Sequence, residues 1–128
     1  MTRANLLLIT KYGTFKFEWG SDAYPEDVTE FLTALAKLDE APDIDWLAEH
    51  NPAGRLCPGT VDNPYYYYEV NQKTRTVRMW DSTTYWVNAP ADWKERGWHC
   101  WKGTNGRDGY TNWRKGKLLK TLNVSKVA

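Results

Sequence analysis

The sequence predicts an α+β fold, in which an antiparallel β-sheet built from hairpins carries one main helix and a short second helix packed on one face. Three observations lead to this prediction. Runs of alternating apolar and polar residues, rich in β-branched and aromatic types, outnumber helical patterns. The longest helical pattern lies between predicted hairpins, which is typical of an α+β arrangement. The 128 residues suit a single domain, predicted over 1–128.

A first hairpin is predicted near the N-terminus. Residues 4–10 (ANLLLIT) and 14–19 (TFKFEW) are runs of β-formers, and the glycine-ending KYG between them suits a tight turn. Phe15, Phe17 and Trp19 fall on one face of the second strand because successive strand residues alternate between faces. This face is predicted to lie in the core.

The main helix is predicted over about 25–39. Pro25 suits its first turn, and Pro42 prevents its continuation. A short second helix is predicted at IDWLAEH, with Asp43 as its cap and an end near Asn51. The main helix has apolar residues at helical spacing, namely Val28, Phe31, Leu32, Leu35 and Leu38.

Further strands are predicted in the second half of the chain. YYYYEV at 65–70 and TRTVRMW at 74–80 form a second hairpin, and TTYWV, WHCWKG and GYTNWRKGK read as later strands. Residues 53–63 are rich in turn formers and are predicted to be a connector. The last residues, LLKTLNVSKVA, suit either a strand or a short helix. Tyr66 and Tyr68 share one strand face, and Tyr65 and Tyr67 share the other.

The net charge of +1 conceals two halves of opposite sign. Residues 1–62 contain five Lys/Arg and eleven Asp/Glu, whereas residues 63–128 contain twelve and five. This asymmetry suits either an anion-binding face or two halves that pack with complementary rims. The N-terminal apolar run is too short for a signal peptide or a membrane span. We therefore predict a cytoplasmic protein with no membrane partner, in which Cys57 and Cys100 are free thiols.

Several short stretches together resemble a known pattern. TRAN at 2–5, SDAYPEDV at 21–28 and YYYYEV at 65–70 resemble small phage and prophage proteins with the pattern TR(A/S)N, DGYPEGV and YEYEV, over about residues 1–80. The resemblance implies a mobile genetic element in a bacterial host and no established activity. Ala23 and Asp27 stand where the pattern has glycines.

The pattern residues of uncertain role are Arg3, Asp22, Tyr24 and Pro25. Asp22 and the Tyr24-Pro25 step have a structural interpretation as the turn that sets the entry angle of the helix. A partner contact by Asp22 and Tyr24 is the alternative.

The adjacent His99 and Cys100 do not predict a metal or catalytic site. Adjacent strand residues point to opposite faces, and no further ligand or orienting carboxylate has a suitable spacing. GTNGRDG at 103–109 suits tight hairpin turns, with an anion-binding nest as the alternative. We predict no enzyme activity, no metal and no cofactor.

The segment from 94 to 126 is basic and aromatic, with nine Lys/Arg and two Asp/Glu. The rings of such a segment can stack on nucleic-acid bases while its Lys and Arg side chains attract phosphates. The same residues can anchor a protein interface. A third interpretation is structural, in which the rings fill the core face of a sheet and the basic side chains lie in solvent on the other face. The predicted contact set of the segment is Trp98, Trp101, Arg107, Tyr110, Trp113, Arg114 and Lys115.

These observations predict a binding protein of phage or prophage origin. Its expected role is that of an inhibitor or sequestering factor directed at a host defence or regulatory protein. The alternative is a nucleic-acid or nucleotide binder that uses the same basic aromatic residues.

Overall fold

The computed structural model describes residues 2–61, 64–81, 85–86, 91–92, 94–95, 99–102, 108–111 and 117–124. The elements, in chain order, are β1 (Ala4–Thr10), β2 (Gly13–Trp19), α1 (Pro25–Lys37), α2 (Ile44–His50), β3 (Leu56–Pro58), β4 (Tyr66–Asn71), β5 (Thr76–Asp81), β6 (Tyr85–Trp86), β7 (His99–Lys102), β8 (Asp108–Thr111) and β9 (Lys117–Asn123). Helices and a mostly antiparallel sheet confirm the predicted α+β class.

Six strands form one mixed sheet in the order β3-β2-β1-β4-β5-β9. The predicted hairpins β1–β2 and β4–β5 are both present, and Gly13 has the positive φ, 140°, that the first turn requires. The pairing of β1 with β4 is parallel, so the sheet is mixed, whereas the sequence predicted an antiparallel sheet. Between β2 and β4 the chain passes through α1, α2 and β3, which provides the long crossover that a parallel pair needs.

The core lies between α1 and one face of this sheet. In the register, Tyr68 of β4 is paired with Leu6 of β1 and Met79 of β5, and all three are buried. The buried residues of α1 are Val28, Phe31, Leu32, Leu35 and Ala36, four of which had been predicted from helical spacing. The ring of the fully buried Trp19 meets those of Phe31 and Tyr68 edge to face, with centroids 5.7 and 6.0 Å away.

Three local predictions differ from the structure. Helix α1 ends at Lys37 rather than near residue 39, because Leu38 adopts an extended conformation. The predicted connector contains β3, which extends the sheet beyond β2. Of the three aromatic residues predicted to share a core face on β2, only Trp19 is buried, whereas Phe15 is exposed. The last segment is a strand, β9, paired with β5.

The tetra-tyrosine run divides between the two faces as its alternation predicts. Tyr68 is fully buried, whereas Tyr65 is exposed. Tyr67 is half-buried on the opposite face, where its ring meets that of Trp80 with centroids 5.6 Å apart.

A second sheet of three short strands has the order β6-β8-β7, with both pairings antiparallel. β6 and β7 lie within TTYWV and WHCWKG, which were predicted to be strands, and β8 begins at Asp108, one residue before the third predicted strand.

Candidate functional site

The predicted contact surface of the C-terminal segment lies only partly within the described residues. Trp101 is in β7 and Tyr110 is in β8. The other five members of the predicted set, Trp98, Arg107, Trp113, Arg114 and Lys115, lie outside the residues that the structure describes. Their contact role stays a prediction.

The register of the small sheet arranges its residues in cross-strand rows. Gly109 of β8 is paired with Trp86 of β6 on one side and with Trp101 of β7 on the other. The next row contains Tyr110 and Cys100. Paired residues share a face and consecutive residues alternate, so the two rows belong to opposite faces of the sheet.

His99 and Cys100 are consecutive residues of β7, and therefore belong to opposite faces as well. Across the described ranges, no cluster of three or more His, Cys, Asp or Glu side chains could hold a metal ion. Cys57 is a half-buried free thiol in β3, as predicted.

The turn before α1 contains Asp22 and Ala23, and hydrogen bonds to Thr2 and Tyr68 hold it in place. Asp22 adopts a left-handed conformation with φ of 62°, which Asp tolerates better than most residues. The buried Ala23 donates its N–H to the carbonyl of Thr2 over 3.2 Å and accepts a 2.6 Å hydrogen bond from the Tyr68 hydroxyl. Burial raises the pKa of Tyr68 far above its ordinary value, so the hydroxyl keeps the proton that it donates.

The other residues of the phage-like pattern lie near this turn. Pro25 is the first residue of α1, and Tyr24 is 39% exposed, with its ring centroid 6.4 Å from that of Tyr66. The carbonyl of the exposed Arg3 accepts the N–H of Tyr65 over 2.9 Å. The structure therefore agrees with the turn interpretation of this segment. A partner contact through Asp22 and Tyr24 stays a prediction.

A groove that was not predicted from the sequence runs between α2 and the β2–β3 edge of the large sheet. It encloses about 520 Å³ and continues past Pro42, Asp43 and Asp45. We refer to it as the α2 groove. Its apolar lining residues are Phe17, Ile44, Leu47, Ala48, Ala53, Leu56 and Pro58.

Helix α2 presents an apolar stripe to this groove although none of its residues is fully buried. Ile44 is 83% exposed, more than any other large hydrophobic residue in the part of the chain that the structure describes. Trp46 and Leu47 are half-buried and pack against the core, and the ring centroid of Trp46 lies 5.9 Å from that of Phe31. The spacing of Ile44, Leu47 and Ala48 is the signal from which the stripe could have been predicted.

Asn51 attaches the end of α2 to the core. Its side-chain oxygen accepts the indole N–H of Trp19 over 2.8 Å and the backbone N–H of Ala53 over 3.2 Å. Its amide nitrogen donates to the carbonyl of Gly54 over 2.8 Å. At the other end of α2, the Asp43 side chain caps the helix by accepting the N–H of Trp46, as predicted.

The segment after α2 is held just as closely. The N–H of Gly54 donates to the carbonyl of Ser21 over 3.1 Å, and the N–H of Gly20 donates to the carbonyl of Arg55 over 3.2 Å. A Cβ atom on Gly54 would stand 2.8 Å from the Ser21 backbone oxygen, so only glycine fits there. These contacts fix the position of α2 relative to the sheet and preform the groove.

The surroundings of the α2 groove are acidic. Residues 38–54 contain five Asp/Glu and no Lys or Arg. Asp43 and Asp45 line the groove, and Arg55 lines its opposite side. Asp39 forms an ion pair with Arg75 outside the groove. Apolar walls with a carboxylate rim suit a ligand that combines apolar and basic groups.

A smaller polar cavity of about 330 Å³ lies beside the end of α1. Two of its lining residues donate side-chain hydrogen bonds to the carbonyls at the end of that helix. Arg75 donates to the carbonyls of Ala36 and Leu38 over 2.7 and 2.8 Å, and Gln72 donates to that of Leu35 over 3.0 Å. These side chains cap the C-terminus of α1, which explains the cavity as part of the fold.

No known protein family, curated protein or solved structure matches this chain. The resemblance to phage and prophage proteins therefore stays a prediction. Among the described residues, no helix has the length and apolar character needed to cross a membrane.

Proposed function

We propose that this protein acts by binding another protein, and that the α2 groove is its docking site. The observation that carries the proposal is the stripe of Ile44, Leu47 and Ala48 beside an open apolar groove. Isolated exposed apolar residues are common, but an apolar groove with a polar rim is typical of an interaction site.

The way in which α2 is held supports this proposal. A seven-residue helix without a buried residue has little stability of its own. Asp43 and Asn51 nevertheless fix its two ends, so the groove keeps its shape before a partner arrives. Such preorganisation lowers the entropic cost of binding.

The occupant we propose is a segment of a partner protein that combines apolar side chains with Lys or Arg. The apolar side chains would fill the groove, and the basic ones would face Asp43 and Asp45. Pro58 lies in the edge strand β3 and has no N–H to donate, which favours side-chain contacts over addition of a strand.

The resemblance to phage and prophage proteins supports a bacterial host protein as the partner. An inhibitor or sequestering factor directed at a host defence or regulatory protein is the role that we propose. This proposal places the contact surface on α2 rather than on the C-terminal segment from which the sequence analysis predicted it.

The test is affinity capture from bacterial lysate with three forms of the protein. Ile44→Asp places a charge in the groove without touching the core, because Ile44 is 83% exposed. Leu119→Asp makes the same change on β9, where the side chain is 44% exposed, and serves as the control. We expect a set of proteins retained by the wild type and Leu119→Asp and lost with Ile44→Asp. Recovery of the same proteins with all three forms would contradict the proposal.

A further inference from the structure

The large sheet leaves apolar side chains exposed on the face that carries the helices. Phe15 of β2 is paired with Leu8 of β1. The next pair on the same face is Phe17 with Leu6, because cross-strand partners share a face. Both leucines are buried, whereas Phe15 is 41% exposed and Phe17 is half-buried. The cover over this face therefore ends at β2.

This exposed strip is continuous with the α2 groove. Phe17 is paired with Pro58 of the edge strand β3, and both residues line the groove. Leu56, two residues before Pro58, lies on the same strand face and lines the groove as well. We refer to these four residues, Phe15, Phe17, Leu56 and Pro58, as the sheet floor. Phe15 extends the floor beyond the residues that line the groove.

The sheet floor suits a helix better than an extended segment. Strand hydrogen bonds lie in the plane of a sheet, so a segment lying on the floor cannot pair with β2. An extended segment there would bury N–H and C=O groups without partners. A helix satisfies these groups internally and presents only side chains. Helix α1 already packs on β4 and β5, and a further helix beside α2 would complete the helical layer over the sheet.

The charge of the helical layer indicates which polar residues such a helix carries. Residues 21–54, which contain α1 and α2, have nine Asp/Glu and one Lys, and all nine acidic residues are exposed. Lys and Arg on the flanks of an apolar stripe would be complementary to this surface.

We infer that the α2 groove and the sheet floor bind an amphipathic helix of the partner protein. Its apolar stripe packs on the floor and on α2, and its basic residues face Asp43 and Asp45. From Phe15 to Trp19, β2 spans about 13 Å, which is the length of a helix of about nine residues. The inference rests on the proposed function and adds the conformation of the occupant and a contact at Phe15.

Two synthetic peptides of equal Leu and Lys content distinguish a helix from an extended segment. Leu recurs at helical spacing in the first peptide and alternates with Lys in the second. Fluorescence anisotropy of the labelled peptides measures binding, and circular dichroism measures the helix gained. We expect the first peptide to bind about tenfold or more tightly than the second and to become helical. Equal or tighter binding of the alternating peptide overturns the inference, and so does the absence of binding by both.

A third peptide tests the charge. It has the helical spacing of Leu with Glu in place of Lys, so it meets the exposed carboxylates with the same sign of charge. We expect it to bind about tenfold or more weakly than the Lys peptide. Equal affinity of the two would overturn the assignment of a basic helix.

Phe15→Asp tests the part of the sheet floor that lies beyond the groove residues. We expect this charge to weaken binding of the helical Lys peptide about tenfold or more. Tyr12→Asp is the matched control, because Tyr12 is a 70% exposed ring in the preceding turn, outside the floor, and it should bind like the wild type. Phe15→Thr removes the ring with a residue that suits a strand, in case Phe15→Asp prevents folding. Wild-type affinity in the folded Phe15 variants overturns the inference.

Failure of this inference is distinguishable from failure of the proposed function. If Ile44→Asp abolishes capture from lysate while the alternating peptide binds as well as the helical one, the docking function stands and the helical occupant is wrong. If capture is unchanged in Ile44→Asp, the docking function is wrong and this inference falls with it.

Discussion

Substitution of Asn51 by alanine tests how α2 is attached to the core. The change removes the acceptor of the Trp19 indole N–H, which lies 2.8 Å from the Asn51 oxygen on a fully buried side chain. A buried donor left without a partner costs about 1–3 kcal/mol. The hydrogen bonds to Ala53 and Gly54, which are half-buried residues, are also lost. We therefore expect Asn51→Ala to lower the free energy of unfolding by about 2–3 kcal/mol.

Urea denaturation followed by circular dichroism and by tryptophan fluorescence measures this loss. Asn71→Ala is a matched control, because the Asn71 oxygen also accepts two backbone N–H groups, those of Lys73 and Thr74, but in an exposed turn. We expect the control to lose less than about 1 kcal/mol, as exposed hydrogen bonds contribute little. Equal losses in Asn51→Ala and Asn71→Ala would refute the reasoning, because the buried indole would then contribute nothing.

Two further substitutions test the turn before α1 and the segment after α2. Tyr68→Phe leaves the carbonyl of Ala23 without its donor and should cost about 1–2 kcal/mol in thermal or urea unfolding. Because burial raises the pKa of Tyr68, the unfolded chain loses this proton above pH 10 while the folded chain keeps it. The free energy of unfolding of the wild type should therefore fall above pH 10, by up to about 1.4 kcal/mol per pH unit. An equally steep or steeper fall in Tyr68→Phe would contradict this. Gly54→Ala places a Cβ against Ser21 and should cost about 1–3 kcal/mol, whereas Gly20→Ala, with nothing within 4 Å, should change stability by less than about 0.5 kcal/mol.

The local elements were predictable because their signals lie within a few neighbouring residues. The apolar spacing in α1 identified Val28, Phe31, Leu32 and Leu35 as core residues, and all four are buried. Asp43 identified the start of α2, because the short side chain of Asp can cap a helix by accepting a backbone N–H of the first turn. Each of these signals acts within one or two turns of helix.

The long-range pairings could not be predicted from the same signals. The parallel pairing of β1 with β4 joins residues about sixty positions apart, and no local pattern specifies which side of β1 the chain returns to. Strand β3 was missed because its three residues, which end at Pro58 and are followed by Gly59, resemble a turn when read locally. Its assignment as a strand comes from pairing with β2.

The α2 groove shows the same division between local and long-range information. The stripe of Ile44, Leu47 and Ala48 is visible in the sequence, but an amphipathic helix ordinarily buries such a stripe. Only the fold shows that Trp46 and Leu47 pack against the core while Ile44 stays in solvent. The groove also needs β3 as its far wall, and β3 was predicted to be a connector.

The affinity of the captured partner for the α2 groove is the measurement that tests the proposed function most directly. Isothermal titration of that partner into the wild type, Ile44→Asp and Leu119→Asp gives three dissociation constants. We predict that Ile44→Asp weakens binding about tenfold or more, because a charge would then face the apolar segment of the partner. Leu119→Asp should retain the wild-type value. Equal dissociation constants for the wild type and Ile44→Asp would contradict the assignment of this groove as the docking site.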